Sequence, residues 1–303
     1  MNQRPLTIGI TTFNRRSVLE IVADSLAQVN GLERARIWVL DDGSTEFDQD
    51  FLRRAFPLAE VFRAAENSGG ADQAMQRLFQ HFVARGEGRL LVLDSDMLAS
   101  RRLVDECLRI IEADRARPGP CLFSVFNAPS HPAIGDDGEF LFKHSVGAAG
   151  TLWTHGLLVD VLREVPVSRK FDWDWSAHLT RRGVPIRVTR RSLVQHIGRI
   201  GQHSRSFAGM DHGVAFEDYQ AHNLAAFLDH TNEGLVQMVV EQNARQGKLA
   251  EAIVQLTQVV QSQAKLINDI IAQLRSPGAE PAGDVGKPTW RFRPAAEPNE
   301  ATR

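Results

Sequence analysis

Two short runs, Ile37-Trp38-Val39-Leu40 and Leu90-Leu91-Val92-Leu93, contain no polar residue, and each stops abruptly at carboxylates. The first runs into Asp41-Asp42-Gly43-Ser44 and the second into Asp94-Ser95-Asp96. Both read as buried strands of one sheet, with their acids at the carboxyl ends, where open α/β sheets bind ligands. On extended backbone, residues two apart share a face, so Asp94 and Asp96 can both face one divalent cation. The pattern points to a nucleotide and metal site, and hence to an enzyme.

Around these runs the chain alternates strand and helix. Residues 6–11 read as a strand closed by Thr12-Phe13-Asn14-Arg15. Ser17-Val18-Leu19-Glu20 has the form of a capping box, and Val18, Val22, Leu26 and Val29 make an apolar stripe that ends at Gly31. A strand over 37–40 follows, which gives strand, helix, strand over about 30 residues, the length a right-handed crossover needs. Further strands are predicted over 61–64, 90–93 and 122–126, and helices over 71–82 and 103–111. The alternation predicts an α/β fold with a mostly parallel sheet and helices on both faces. Beyond residue 140 the pattern is less regular. A Gly/Ala-rich turn leads into 151–153, a short helix reaches 164, a helix spans 171–182 and a strand spans 185–190. Residues 192–212, rich in His, Gly and Ser, read as a loop over a site.

With 303 residues, 43% of them hydrophobic, the chain has room for one large domain and an appendage. Its net charge of -2 gives no general attraction to nucleic acid or anionic lipid. Arginine is dense at Arg181, Arg182, Arg187, Arg190, Arg191 and Arg199, either a solvated face or a phosphate- or acceptor-facing patch. Cys107 and Cys121 sit in apolar contexts and read as reduced core residues of a cytoplasmic protein. No apolar stretch is long enough for a membrane span, and the first residues lead straight into a strand, with no room for a signal peptide. Peripheral attachment to the inner face of the membrane stays open.

From Leu235 the spacing changes to steps of four and three. Ile253, Val260 and Ile267 fall at one heptad position, and Leu249, Leu256 and Ile270 at the other. Residues 235–274 are therefore expected to form a coiled coil that joins two copies, or three, into a homo-oligomer. Gln242, Gln246 and Gln263 on the seam suit a register-setting role or a weaker first half. Beyond Ser276 the Pro, Gly, Ala and Glu content predicts a disordered tail. The domain plan is 1–215 (two halves, 1–100 and 101–215), then a helical segment over 216–275 and a tail over 276–303.

Four motifs occur in order: Ile10-Thr11-Thr12-Phe13-Asn14-Arg15, Leu40-Asp41-Asp42-Gly43-Ser44, Glu66-Asn67-Ser68-Gly69-Gly70 and Leu93-Asp94-Ser95-Asp96. Together they resemble the nucleotide-sugar half of GT-A fold glycosyltransferases, particularly the large family 2, over roughly the first hundred residues. The resemblance implies a GT-A, Rossmann-like domain that takes a nucleotide-diphospho-sugar, UDP-linked above all, as donor. It implies that Thr12 and Arg15 hold the nucleotide and that Asp41 or Asp42 accepts the base N–H. It places Asn67 and Gly70 beside the ribose or diphosphate. Asp94 and Asp96 match the family's DxD motif. The second acid of such a motif binds Mn²⁺ or Mg²⁺, and the first touches ribose or a metal-bound water.

In the second half, Phe171-Asp172-Trp173-Asp174-Trp175-Ser176 and the following Arg181-Arg182-Gly183 resemble the family's Glu-Asp motif, with Phe171 in place of Glu. The motif supplies the base that takes the acceptor hydroxyl's proton in an inverting transfer. Asp172 is the expected base and Asp174 its alternative. Trp173 and Trp175 suit either a sugar-stacking surface or the core. His196 resembles a histidine that many such enzymes give to the metal or diphosphate, with His203 second. Gly147-Ala148-Ala149-Gly150 resembles the small-residue turn bordering the acceptor pocket. The expected activity is sugar transfer to a hydroxyl of a glycan, glycolipid or protein. The alternatives are a sugar-phosphate nucleotidylyltransferase, which would show a Gly-rich basic loop after the first strand, and a non-catalytic coiled-coil scaffold, which would have lost an acid.

Overall fold

The central strands are apolar on both sides because helices cover both. The computed structural model describes residues 4–198, 212–218, 239–240, 242–265 and 268. In chain order the elements begin β1 (Leu6–Thr12), α1 (Arg16–Leu26), β2 (Arg36–Asp41), α2 (Gln49–Ala55), β3 (Ala59–Arg63), α3 (Ala71–Arg85) and β4 (Arg89–Asp94). They continue with β5 (Met97–Ala99), α4 (Leu103–Arg115), β6 (Leu122–Ser124), β7 (Ala133–Asp136), β8 (Phe140–Lys143) and β9 (Thr151–Thr154). The series closes with α5 (His155–Glu164), α6 (Phe171–Arg181), β10 (Ile186–Thr189) and β11 (Val194–His196).

Successive strand residues divide between two cores, as a period of two requires. Leu6, Ile8, Ile10, Ile37, Val39, Leu91 and Leu93 pack with residues of α1, α2 and α4, among them Leu19, Phe51 and Val104. Their neighbours Trp38, Leu90 and Val92 pack on the other side with α3, α5 and α6 through Leu78, Leu158 and Trp175. Gly9 allows α3 to come this close: a Cβ there would stand 2.6 Å from Leu78 Cδ1. Burying each of these large apolar side chains is worth about 1.5–3 kcal/mol.

The sheet runs β3-β2-β1-β4-β9-β6-β10-β8-β7. β3, β2, β1 and β4 are parallel, as the alternation predicts. Past β4 the sheet is mixed, because β9 lies antiparallel between β4 and β6 and the β7–β8 hairpin adds an antiparallel edge. The mostly parallel expectation thus holds for the first half alone. The chain leaves β1 for β2 and β3 on one side and then crosses to β4 on the other. The gap between the carboxyl ends of β1 and β4 is therefore a topological switch point. Register puts Thr12 beside Asp41 and Thr11 beside Asp94 at that edge.

Two local expectations change. Ser17 does not cap α1. Arg15, left-handed at φ 59° and ψ 49°, occupies the cap position without a side-chain cap, and Glu20 pairs with Arg16 at 3.1 Å. The segment read as a loop from Ser192 contains β11, which pairs antiparallel with β5 and sets His196 opposite Met97. Residues 199–211, with Arg199 and His203, lie outside the described residues, as do 276–303.

The chain divides into two compact units, Met1–Val240 and Glu241–Arg303. In the second, residues 242–265 are helical, and the seam residues Leu249, Ile253, Leu256 and Val260 are all exposed. No described helix is long and apolar enough to cross a membrane.

Candidate active site

β4 ends at Asp94, and the chain then turns through Ser95 and Asp96 into β5. Asp96 is buried and held from two directions. Arg15 Nη2 lies 2.8 Å from its Oδ2, and His196 Nε2 lies 3.4 Å from the same oxygen. Both partners are placed by backbone. Asn14 and Arg15 adopt left-handed conformations at φ 54° and 59°, which cost non-glycine residues free energy. Asn14 Oδ1 fixes that corner by accepting from the amides of Thr45 at 2.8 Å and Glu46 at 3.2 Å. His196 arrives through the β5–β11 ribbon, where Ile197 N–H donates to the Asp96 carbonyl at 2.8 Å. Gly198 follows at close approach, since a Cβ there would lie 1.8 Å from Asp96 Oδ2.

The electrostatics follow from this packing. Burial and the neighbouring Asp96 charge push the Asp94 carboxyl up to about 6. Burial acts on Asp96 in the same direction, but the His196 and Arg15 charges outweigh it and hold Asp96 well below the usual carboxylate range. Burial alone would lower His196; Asp96 and Asp94 reverse this and raise it. Thr11 Oγ1 donates to Asp94 at 3.4 Å.

The same residues allow a test of fit for a divalent cation. Asp96 Oδ1 and His196 Nδ1 are buried without hydrogen-bond partners among the described residues. No group of three His, Cys, Asp or Glu among the described residues forms a complete cation cage. An incomplete set suits Mg²⁺ or Mn²⁺, which take one or two carboxylates and fill the remaining positions with substrate phosphates and water. The residues fit a divalent cation only as a partial set, with its other positions filled from outside the protein.

The acids at the carboxyl end of β2 are held in place by the fold. Asp41 accepts from the Ser44 amide at 3.2 Å and from its hydroxyl, and pairs with Arg63 at 3.1 Å. Asp42 accepts from Asn67 Nδ2 at 3.0 Å, from the Ser68 amide at 3.0 Å and hydroxyl at 2.7 Å, and pairs with Arg77 at 2.9 Å. Asn67 is thus turned onto Asp42. Both acids border a cleft of ≈ 180 Å³ with Leu40, Phe62 and His81. Gly70, at φ 144°, opens α3 in a conformation that L side chains rarely adopt. Thr12 is buried at the mouth of β1, with no partner for its hydroxyl among the described residues.

A second cavity of ≈ 710 Å³ brings together residues far apart in sequence: Asp94, His131, Asp172, Trp173 and His196, with Gly147, Ala148 and Ala149 on its wall. Asp172 is half-buried at the start of α6. Asp174 does not line this cavity and accepts from Ser168 Oγ at 2.5 Å. The two tryptophans separate cleanly. Trp175 is fully buried, 4.9 Å from Trp153 and edge-on at 78°, and belongs to the core. Trp173 is 51% exposed and lies 5.1 Å from the His131 ring. Phe171, standing where the motif has Glu, packs in the core 6.1 Å from Phe79 and anchors the helix.

Sequence reasoning did not find His131, Asp72, Arg169 or Lys170, all of which line this cavity. None sits in a motif, although Arg169 and Lys170 directly precede Phe171. The flagged arginines are spent on surface pairs: Arg182 with Asp160, Arg187 with Asp137, Arg190 with Asp136 and Arg191 with Glu217. For these four the solvated-face reading holds.

Residues 7–118 match the model of glycosyl transferase family 2. Among solved structures, TarS of S. aureus (residues 1–349) aligns with TM-score 0.46 and 16% identity, over 62% of this chain and 59% of that one. The same TarS segment in complex with UDP-GlcNAc gives 0.47 and 17%, over 66% and 60%. The mannosyltransferase PcManGT from Pyrobaculum calidifontis, in complex with GDP-Man and Mn²⁺, gives 0.46 and 16%, over 66% and 59%. The chain spans about three fifths of the length of these structures. No curated protein matches it in sequence.

Proposed function

We propose that this chain, which resembles glycosyl transferase family 2 over residues 7–118, is a metal-dependent glycosyltransferase acting on a nucleotide-diphospho-sugar, with UDP as the nucleotide. One observation carries the reading. Asp94 at the mouth of β4, His196 on β11 and Asp172 at the start of α6 open onto a single cavity. Metal-ligating groups and a separate carboxylate base are the two parts an inverting transfer needs.

Asp96, Asp94 and His196 would hold Mn²⁺ or Mg²⁺, which when bound neutralises the charge of the departing nucleoside diphosphate. Thr12 and Arg15, at the mouth of β1, face the nucleotide. The Asp41–Asp42 corner, fixed by Ser44, Asn67 and two arginines, shapes the base cleft. Asp172 takes the proton of the acceptor hydroxyl as its oxygen attacks the anomeric carbon, and the product has inverted configuration. Trp173 offers its exposed face to the acceptor, a hydroxyl of a glycan, glycolipid or protein.

The exposed Leu249, Ile253, Leu256 and Val260 on the 242–265 helix support self-association, with a second copy burying the seam in a coiled coil. Association of two or more chains suits a bulky or repetitive acceptor. Cys107 and Cys121 are free, buried thiols, which fits a reducing cytoplasmic setting.

Incubation with a panel of nucleotide sugars, with and without Mn²⁺, tests the assignment. Slow release of a nucleoside diphosphate from one donor, dependent on the metal, is expected. Release of pyrophosphate from a nucleoside triphosphate and a sugar phosphate would make the protein a nucleotidylyltransferase instead, and no turnover or nucleotide binding at all would favour a scaffold.

A further inference from the structure

The cavity that holds Asp172 carries positive charge that the fold does not use. Arg169 and Lys170 are exposed and line this cavity, and neither side chain makes an ion pair or hydrogen bond among the described residues. They immediately precede α6, the 11-residue helix that carries Asp172 in its first turn, where Asp172 Oδ1 accepts from the Trp173 amide at 2.8 Å. Trp173 continues the wall beside His131, whose Nδ1 lies 2.8 Å from Ser145 Oγ. Three carboxylates also face the cavity: Asp94 belongs to the proposed metal end, Asp172 is the base, and Asp72 is buried in the first turn of α3.

Exposed cations are well solvated in water. A molecule filling the cavity strips part of that solvent away, and an occupant without acceptor groups gives Arg169 and Lys170 nothing in its place. An occupant with its own negative charge offsets the loss through charge-assisted hydrogen bonds. We infer that the acceptor is anionic: the hydroxyl that Asp172 deprotonates is carried on a molecule bearing a phosphate or carboxylate, which Arg169 and Lys170 hold while Trp173 packs against its carbon skeleton. This rests on the transferase reading and names its substrate class. The transfer balances as before. The acceptor oxygen bonds to the anomeric carbon, the bond from that carbon to the diphosphate oxygen breaks, the proton goes to Asp172, and the nucleoside diphosphate leaves with the electron pair.

Calorimetry on the full chain, saturated with Mn²⁺ and UDP so that the donor end is filled, provides the test. Glucose, glucose 6-phosphate and glucuronate are titrated in turn. At least one anion is expected to bind about tenfold more tightly than glucose at low ionic strength, with the advantage shrinking as salt is added. Preference for glucose 6-phosphate alone identifies phosphate as the recognised group, and preference for glucuronate identifies carboxylate. The double substitution Arg169→Ala, Lys170→Ala removes the preference while UDP affinity and melting temperature hold. Equal binding or no binding of the three sugars, or a preference that survives the double substitution, overturns the anionic acceptor and leaves the transferase reading standing. Failure of UDP to bind removes both.

Discussion

Gly198→Ala probes the packing around Asp96 with a single methyl group. A Cβ at this position would lie 1.8 Å from Asp96 Oδ2, 2.5 Å from Cγ and 2.9 Å from Cβ. Rotating the Asp96 side chain about χ1 relieves the first two contacts but not the third, because Asp96 Cβ is fixed to backbone that accepts from Ile197 at 2.8 Å. The ribbon must therefore shift, or Asp96 must leave Arg15 and His196. Overpacking a tight site costs about 1–3 kcal/mol. Losing partners from a buried carboxylate adds to that, since breaking such a pair outright costs roughly 3–5 kcal/mol. A net loss of about 3 kcal/mol corresponds to roughly 6–12 °C in melting temperature for a unit of this size. Gly156→Ala is the control: its Cβ meets nothing within 4 Å on α5, and replacing a helical glycine is worth about 0.5–1 kcal/mol of stabilisation. Differential scanning calorimetry of the three proteins, followed by UDP titration with Mn²⁺, reads both effects. A Gly198→Ala protein that melts with the parent and binds UDP equally well would refute the close packing of Gly198 on Asp96.

Other perturbations separate the remaining roles. Asp172→Asn should leave donor affinity intact and lower turnover by about 10²–10⁴-fold, the usual contribution of a general base. Asp174→Asn, outside the cavity, should turn over like the parent, and the reverse pattern would transfer the base role to Asp174. Burial pushes the Cys107 and Cys121 thiols up to about 12, so at pH 8 about one in ten thousand is ionised. Ellman's reagent should therefore label neither in the native protein and both in guanidinium; rapid native labelling would contradict their burial. Ile253→Glu with Leu256→Glu should reduce the mass measured by light scattering to that of a monomer, and an unchanged mass would exclude the heptad seam as the contact.

What the sequence discloses here depends on how local the physical cause is. The runs 37–40 and 90–93 stand out because both faces of β2 and β4 are covered, so no polar residue interrupts them. Asp94, Asp96 and Asp172 are legible because they sit at the ends of such elements. The misread cap at Ser17 has the opposite origin: Arg15 takes a left-handed conformation supported by the Asn14 contacts to Thr45 and Glu46, some 30 residues away. The antiparallel insertion of β9 was equally hidden, since Thr151–Thr154 has the same composition in either direction and its neighbours come from distant segments. Trp173 and Trp175 carry identical side chains two residues apart, and only the rotation of α6 sends one to the core and the other to the cavity. Nothing in the sequence separates Arg169 and Lys170 from Arg182, Arg187, Arg190 and Arg191, which the fold pairs with acids.

The central claim, a cation held by Asp96 and its neighbours that ties down a nucleotide diphosphate, is tested most directly by titrating UDP into the protein with and without Mn²⁺. The account predicts binding about tenfold or more tighter with the metal, and loss of that enhancement in an isosteric Asp96→Asn protein that still folds. Equal UDP affinity with and without Mn²⁺, or an Asp96→Asn protein that responds to the metal like the parent, would contradict it.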